Sequence, residues 1–350
     1  MNEKTIYFAG GCFWGVEHFF KGVDGVTSAV AGYANGNGYG DGGDASKAAN
    51  GNGYGDGGDA GKAANGKDAG DAAGHGASGA GPSYEQVYTD KTGFAETVRV
   101  SYRPERIGLQ ELTRLYFATV DPLSLNQQGH DVGTRYRTGV YYTDPAERPL
   151  LEAVFAEQEA ALGAKPVTEL MPLRNFFPAE EYHQAYLDKN PEGYCHLPLK
   201  AFRYQRLYQD LKLLLGDEPD PIARMANTAA MIAERMKFFW VGFYRVAESA
   251  GAAAAPELVL GPFQGPTACF RIANGRGVCG TAWAQRRTLI VPDVEQFPGH
   301  IACSALSRSE IVVPVFENGS VTAVLDIDST ELGTFDRFDA AFLELIADIL

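Results

Sequence analysis

Five cysteines, at positions 12, 195, 269, 279 and 303, are the groups in this chain best suited to covalent chemistry. Cys12 stands in Gly10-Gly11-Cys12-Phe13-Trp14-Gly15. The run Thr5–Ala9 before it is β-branched and aromatic, and Val16, Phe19 and Phe20 after it recur at helical spacing. Cys12 is therefore expected at a strand-to-helix turn, in the first turn of the helix. Unpaired amide N–H groups and the positive end of the helix dipole there favour thiolate over thiol. The competing reading is a buried small hydrophobe among core aromatics. Tyr84, Glu96, His130, Asp131, Tyr136 and Tyr186 stand among glycines or at segment ends, where side chains can reach a pocket. A thiolate, a carboxyl group, tyrosine hydroxyls and the later Cys195 suggest attack on an electrophile that needs protonation, followed by disulfide formation.

The other three cysteines are spaced by 10 and 24 residues, with no C-x-x-C and only His300 nearby, so a zinc site is not expected. Cys279 follows Gly277-Val278 at an expected helix N-terminus, and Cys303 falls in the Phe297–Ser304 loop, expected to be mobile. Glu310 opens a strand, and Asp326 and Asp328 share one face of another. Carboxylates near a loop cysteine suit a small ligand carrying an ammonium group. Alternate aspartates also fit the wet face of an antiparallel strand.

The elements that must position these groups can be read from periodicity. Strands are expected at Glu96–Tyr102, Gly139–Tyr142 and Val167–Leu170, and helices at Leu109–Thr119, Ala146–Leu162 and Glu180–Leu187. This compact unit ends near residue 200. A second unit begins with helices at Tyr204–Leu215 and Pro221–Met236. Strands follow at Phe239–Val246, Leu258–Phe263, Thr288–Val291, Ser309–Phe316 and Ser320–Asp328, with a short helix near Cys279 and a closing helix at Phe335–Leu350. Helices around a mostly antiparallel sheet make both units α+β.

Between Tyr33 and Tyr84 lies different material. Ala34–Ala48 is repeated as Ala49–Ala63 with Ser46 replaced by Gly61, and a degraded third copy follows. The stretch of about residues 35–82 has no Leu, Ile, Val or Phe, so it is expected to be a disordered insertion. Lengthening a connection about fivefold costs only ~1.4 kcal/mol of closure entropy, so the fold can carry it.

With 350 residues, 45% of them hydrophobic, two ordinary domains are expected. A net charge of −14 argues against nucleic acid or an anionic membrane as partner. No signal peptide and no membrane span are expected. An odd number of widely spaced cysteines fits a reducing cytoplasm rather than a disulfide framework.

Taken together, Gly11–Gly15, Gly32-Tyr33-Ala34, Gly93–Glu96, His130–Arg137, Tyr182-His183-Gln184 and Asn190–Cys195 resemble peptide methionine-(S)-sulfoxide reductase over about residues 4–200. The resemblance implies an α/β-sandwich and a thiol mechanism. Cys12 would attack the sulfoxide sulfur, with Glu96 as general acid and a raised pKa. Tyr84 and Tyr136 would bond the oxygen, Phe13 and Trp14 would hold the methyl group, and Asp131 would orient the site. Cys195 would then form a disulfide with Cys12, for thioredoxin to reduce. The implied substrates are oxidised proteins and free methionine sulfoxide, with no cofactor and no metal. The insertion is longer than the family's usual connection, and no further cysteine stands at Tyr88 or in the tail after Cys195.

The second half resembles the GAF-domain free methionine-(R)-sulfoxide reductase over about residues 204–350. The resemblance rests on Phe239–Tyr244, Gly261–Gly265, Gly277–Ala282, Val291-Pro292-Asp293, Pro298–Cys303, Ser309–Pro314 and Leu325–Ser329. It implies Cys303 as nucleophile, Cys269 as main resolving thiol and Cys279 in support. Glu310, Asp326 and Asp328 would hold the substrate, and Trp240 and Tyr244 would line its pocket. The alternative is a GAF-like half that only binds a ligand and regulates the first.

Overall fold

The structure, a computed structural model, describes residues 3–37, 81–248, 255–301 and 304–350. Cys303, residues 249–254 of the expected alanine-rich loop and most of the glycine-rich repeat lie outside the described residues. The disorder expected of the repeat and the mobility expected around Cys303 therefore fall there too.

The first sheet contains β1 (Lys4–Gly10), β2 (Val26–Ala34), β3 (Ala95–Tyr102), β6 (Thr138–Tyr142), β7 (Glu169–Pro172) and β8 (Phe176–Pro178), with a small hairpin of β4 (Gln127–Gln128) and β5 (Asp131–Val132) beside it. Their order is β7-β6-β1-β3-β2-β8, antiparallel except for the parallel pair β6–β7. Helices α1 (Phe13–Lys21), α2 (Tyr84–Tyr88), α3 (Leu109–Thr119), α4 (Arg148–Leu162) and α5 (Tyr186–Lys189) complete this part. In the second part α6 (Leu199–Leu215), α7 (Pro221–Met236), α8 (Gly277–Gln285) and α9 (Arg337–Asp348) accompany a sheet. Its strands are β9 (Trp240–Ala247), β10 (Glu257–Gln264), β11 (Arg271–Ala273), β12 (Leu289–Val291), β13 (Ser309–Glu317) and β14 (Ser320–Ser329). Their order is β11-β10-β9-β14-β13-β12, antiparallel throughout. The chain is α+β in both parts, as its periodicity indicates. Among the described residues no helix is long and apolar enough to cross a membrane.

Local chemistry fixes the helix starts. Asp220 accepts from the Ala223 N–H with Pro221 at the first helical position of α7. Asp336 and Asp339 form a reciprocal capping box that opens α9. The helix expected at Glu180–Leu187 is shorter and later. Residues 180–185 form turns, with Ala185 in the left-handed region at φ 51°, and only Tyr186–Lys189 is helical. The buried Glu17 and the half-buried Gln184 redirect this backbone. Glu17 accepts from the Ala185 N–H at 2.9 and 3.0 Å, and Gln184 bonds the Ala31 N–H and C=O of β2.

Helix α6 starts five residues earlier than its periodicity indicates and packs on both parts. Phe202 meets Phe19 of α1 at 6.3 Å, and Gln205 Nε2 donates to the Phe19 C=O. On its other side the Tyr204 ring stacks on Phe342 of α9 at 5.5 Å, and its hydroxyl donates to Asp339 at 2.8 Å. Phe342 also reaches Phe19 at 6.1 Å, so the two sheets share one apolar core. Phe342 is fully buried, and Phe342→Ala is expected to cost about 3–5 kcal/mol. Because the core is shared, hydrogen exchange should show faster opening in β3 as well as in β13.

Candidate active sites

The first site is built on the turn between β1 and α1. Gly11 has φ +80°, and a Cβ there would lie 2.6 Å from Gln128 Cβ, so only glycine makes this turn. Cys12 is the N-cap of α1, and its side chain is buried. Glu96, at the start of β3, is 1% exposed and accepts the Phe13 N–H at 3.1 Å. The thiol and the carboxyl group thus face the same helical turn.

Burial decides the protonation of both. It pushes the Glu96 carboxyl up to about 8, against the pull of the Phe13 N–H and of Arg135. Burial, then the proximity of Glu96, holds the Cys12 thiol well above its usual range; the Trp14 N–H lowers it only partly. This corrects the expectation that the helix N-terminus makes Cys12 a thiolate. In a site 5% exposed, desolvation outweighs the helix terminus. At neutral pH both groups hold their protons.

Tyr84, the first residue of α2, and Tyr136 flank the carboxyl group, and each hydroxyl has its pKa raised by burial and next by Glu96. Phe13 is buried against Tyr33 and His183, at 5.9 and 5.2 Å between ring centres. The half-buried Trp14 donates to His183 Nδ1 at 3.2 Å and stacks on Tyr186 at 3.8 Å. Asp131 accepts from Tyr194 at 2.9 Å. Cys195 follows Tyr194 and comes close because residue 15 is glycine: a Cβ there would lie 3.0 Å from Cys195 Sγ. Cys12, Cys195, Cys269 and Cys279 are all free thiols.

Three further contributors lie within the same sequence motifs, where nothing in their spacing marks them. Arg135 lies over the rings of Tyr88 and Tyr136 at 4.2 and 4.4 Å and pairs with Asp90 at 2.7 Å. Its charge lowers Glu96. His183 joins Trp14 to Tyr84, with a ring distance of 4.5 Å to the latter. Tyr194 is the residue beside Cys195. A fourth, Glu180, lay outside the motifs and seats Tyr84 by accepting its N–H at 2.8 Å while accepting the Tyr33 hydroxyl at 2.7 Å.

The second site lies between β9, α8, β13 and β14. A pocket there is lined by Trp240, Tyr244, Cys279, Glu310, Asp326 and Asp328 among others. Trp240 stacks on Tyr244 at 6.1 Å and on Phe263 at 5.5 Å, and its indole donates to the Pro266 C=O at 3.0 Å. Glu310 on β13 pairs in register with Asp328 on β14, and Asp326 lies two residues along the same face. Asp326 and Glu310 are each 6% exposed, so this face is not the wet side of the sheet. Burial and then the charges of Asp326 and Asp328 raise Glu310 well above the usual range, burial and then the charge of Asp328 raise Asp326 likewise, and burial raises Asp328 to about 6. Burial, then Asp326 and Glu310, raise the Cys279 thiol in the same way. Cys279 Sγ stands 3.9 Å from Glu310 Oε1. The half-buried Cys269 is not one of the pocket-lining residues.

Two α+β units each bring a thiol near buried carboxyl groups, and comparison with known proteins gives the class of enzyme. A family model described as peptide methionine sulfoxide reductase matches residues 4–40 and 68–212, more than half of the chain, and a GAF domain model matches residues 220–350. The chain belongs to the peptide methionine sulfoxide reductase family, carries a GAF domain after it, and is a methionine sulfoxide reductase. Peptide methionine sulfoxide reductase MsrA of Clostridium acetobutylicum is 42% identical over 201 residues, 57% of this chain and 98% of that protein. GAF domain-containing protein A of Dictyostelium discoideum is 52% identical over 151 residues, 43% of this chain and 92% of that protein. The X-ray structure of free methionine-R-sulfoxide reductase from Neisseria meningitidis in complex with its substrate is 51% identical over 42% of this chain and 84% of that chain, with a TM-score of 0.40.

Glu96 should titrate at about 8 in a carbon-13 NMR experiment, and its proton-bearing form should be lost as pH rises through that value. Arg135→Met removes the cation that lowers Glu96, so its midpoint should move to still higher pH.

Proposed function

We propose that the N-terminal half reduces the S epimer of methionine sulfoxide, in proteins or free, through Cys12. The single observation that supports this most is the buried Glu96 carboxyl group bonded to the Phe13 N–H, on the helical turn that carries the buried Cys12 thiol. The sulfoxide methyl group lies against Phe13 and Trp14, and its oxygen accepts from Tyr84 and Tyr136. Cys12 sulfur attacks the sulfoxide sulfur while Glu96 delivers its proton to the oxygen. The thiol proton restores the Glu96 carboxyl. Oxygen ends on Cys12 as a sulfenic acid, and methionine leaves with its sulfur reduced by two electrons. No net proton is exchanged with solvent in this step, which suits a closed site. Asp131, held by Tyr194, lies on the side where Cys195 approaches. Cys195 sulfur then displaces the sulfenic oxygen as water, forming the Cys12–Cys195 disulfide, and a thioredoxin-type dithiol reduces it.

The C-terminal half reduces free methionine-R-sulfoxide. The carboxyl groups of Glu310, Asp326 and Asp328 meet the substrate ammonium group, and Trp240 and Tyr244 cover its side chain. Cys303 is the nucleophile carried over from the family pattern, with Cys269 and Cys279 as resolving thiols. Each sulfoxide epimer needs its own enzyme, which gives the fusion its chemical sense.

With dithiothreitol as reductant, Cys12→Ser should abolish reduction of the S epimer and leave free R-sulfoxide reduction intact; Cys303→Ser should do the reverse. Loss of R-sulfoxide activity from the unmodified chain would instead make the GAF half a ligand-binding sensor.

Gly15→Ala should leave a first burst of one methionine per enzyme and slow thioredoxin-dependent turnover by about 10–100-fold, because it pushes Cys195 away. Rapid-quench kinetics separate the burst from the steady state.

A further inference from the structure

The carboxyl groups of the second pocket offer more than a socket for an ammonium group. Among the described residues, Cys279, Glu310 and Asp326 are the group whose donor atoms come together closely enough to hold a metal ion, all within 4.8 Å of one another. All three are buried. A separate observation points to a ligand: Asp326, only 6% exposed, leaves its Oδ1 without any hydrogen-bond partner. A buried carboxyl oxygen with no partner is costly, and a cation that displaces the proton of this acid would give it one.

The donor set says which cation. A thiolate with two carboxylates is softer than the all-oxygen shell that Mg2+ or Ca2+ prefer. His300 adds an imidazole at the rim, its Nε2 3.9 Å from Glu310 Oε2. Sulfur, oxygen and nitrogen donors in a compact cluster suit Zn2+. In a tetrahedral zinc site a bound sulfur and oxygen stand about 3.5 Å apart. Cys279 Sγ and Glu310 Oε1 stand 3.9 Å apart, so a small side-chain adjustment closes the shell. Spacing along the chain gave no sign of this, because the ligands come from α8, β13 and β14, which are brought together by the β13–β14 register.

The geometry points to an inhibitory Zn2+ site formed by Cys279, Glu310 and Asp326, with His300 at the rim beside Glu310 and solvent or substrate completing the shell. Bound there, the ion occupies the carboxyl groups proposed to receive the substrate ammonium and holds Cys279 as a thiolate. It therefore switches off the R-sulfoxide half by competition. The inhibition rests on the proposed reading of this pocket; the binding does not.

The test uses the full chain with Cys12, Cys195, Cys269 and Cys303 all replaced by serine, leaving Cys279 as its one thiol. Cd2+ is the optical probe, because a cadmium–thiolate bond absorbs in the ultraviolet, and Zn2+ is the competitor. One Cd2+ should bind per chain with a thiolate absorption band, and Zn2+ should bleach it. Adding Asp326→Asn should weaken binding by more than about tenfold, the least that losing even an outer-shell partner costs a metal site. Glu310→Gln is the second variant should the first fail to fold, with thermal unfolding as the check. Absence of the band, or equal affinity in a folded Asp326→Asn or Glu310→Gln chain, overturns the site. In the unmodified chain Zn2+ should raise the KM for free R-sulfoxide. If that chain shows no R-sulfoxide activity while the four-serine chain binds one Cd2+, the metal site stands and the substrate reading fails.

Discussion

The hydrogen bond from the Phe13 N–H to Glu96 is the contact on which the first site depends. It joins the opening of α1 to the start of β3, and so sets the Glu96 carboxyl group beside the turn that carries the Cys12 thiol. Its setting is dry. A carboxyl group with 1% exposure keeps its proton, because the charged form loses more on leaving water than one N–H and the Arg135 charge return. Much of the surrounding structure serves that result. Tyr33 on β2 lies opposite Glu96, Tyr84 is seated by Glu180, and Gly11 makes the turn that brings Cys12 round.

The second site reaches a similar state by other means. Its thiol also sits in the first turn of a helix, and its carboxyl groups also come from strands. Here three acids share one pocket, and burial raises all three, with Asp328 adding to the shift of Glu310 and Asp326; among the described residues no cation lowers them as Arg135 lowers Glu96. A ligand that brings positive charge is stabilised by the whole set. The first site instead sets one fully buried carboxyl group near the Arg135 charge, which lowers it.

Much of this was legible in the residues. Helices α3 and α7 have the bounds that their apolar periodicity indicates, because strong amphipathic patterns, and for α7 the Asp220 cap, are local signals. Strand β2 was not anticipated: Val26–Ala34 is diluted by alanine, serine and glycine, and its pairing partner β3 lies about 70 residues away. The missed turns at 180–185 have the same origin, since Glu17 and Gln184 act there through long-range backbone bonds. The protonation of Cys12 was misjudged because helix position is visible in a sequence and burial depth is not. The cluster of Cys279, Glu310 and Asp326 was hidden for the same reason, since register across a sheet has no linear spacing.

Helix α6 gives the fusion a history that is hard to reverse. Its Phe202 and Gln205 belong to one neighbour and its Tyr204 to the other. A cut before Leu199 would take the cover from Phe19, and a cut after Leu215 would strip it from Phe342. Either fragment would bring a fresh greasy stripe to the surface, an invitation to clump during synthesis. In this chain the two sheets share a wall, and neither could be removed without rebuilding it for the other.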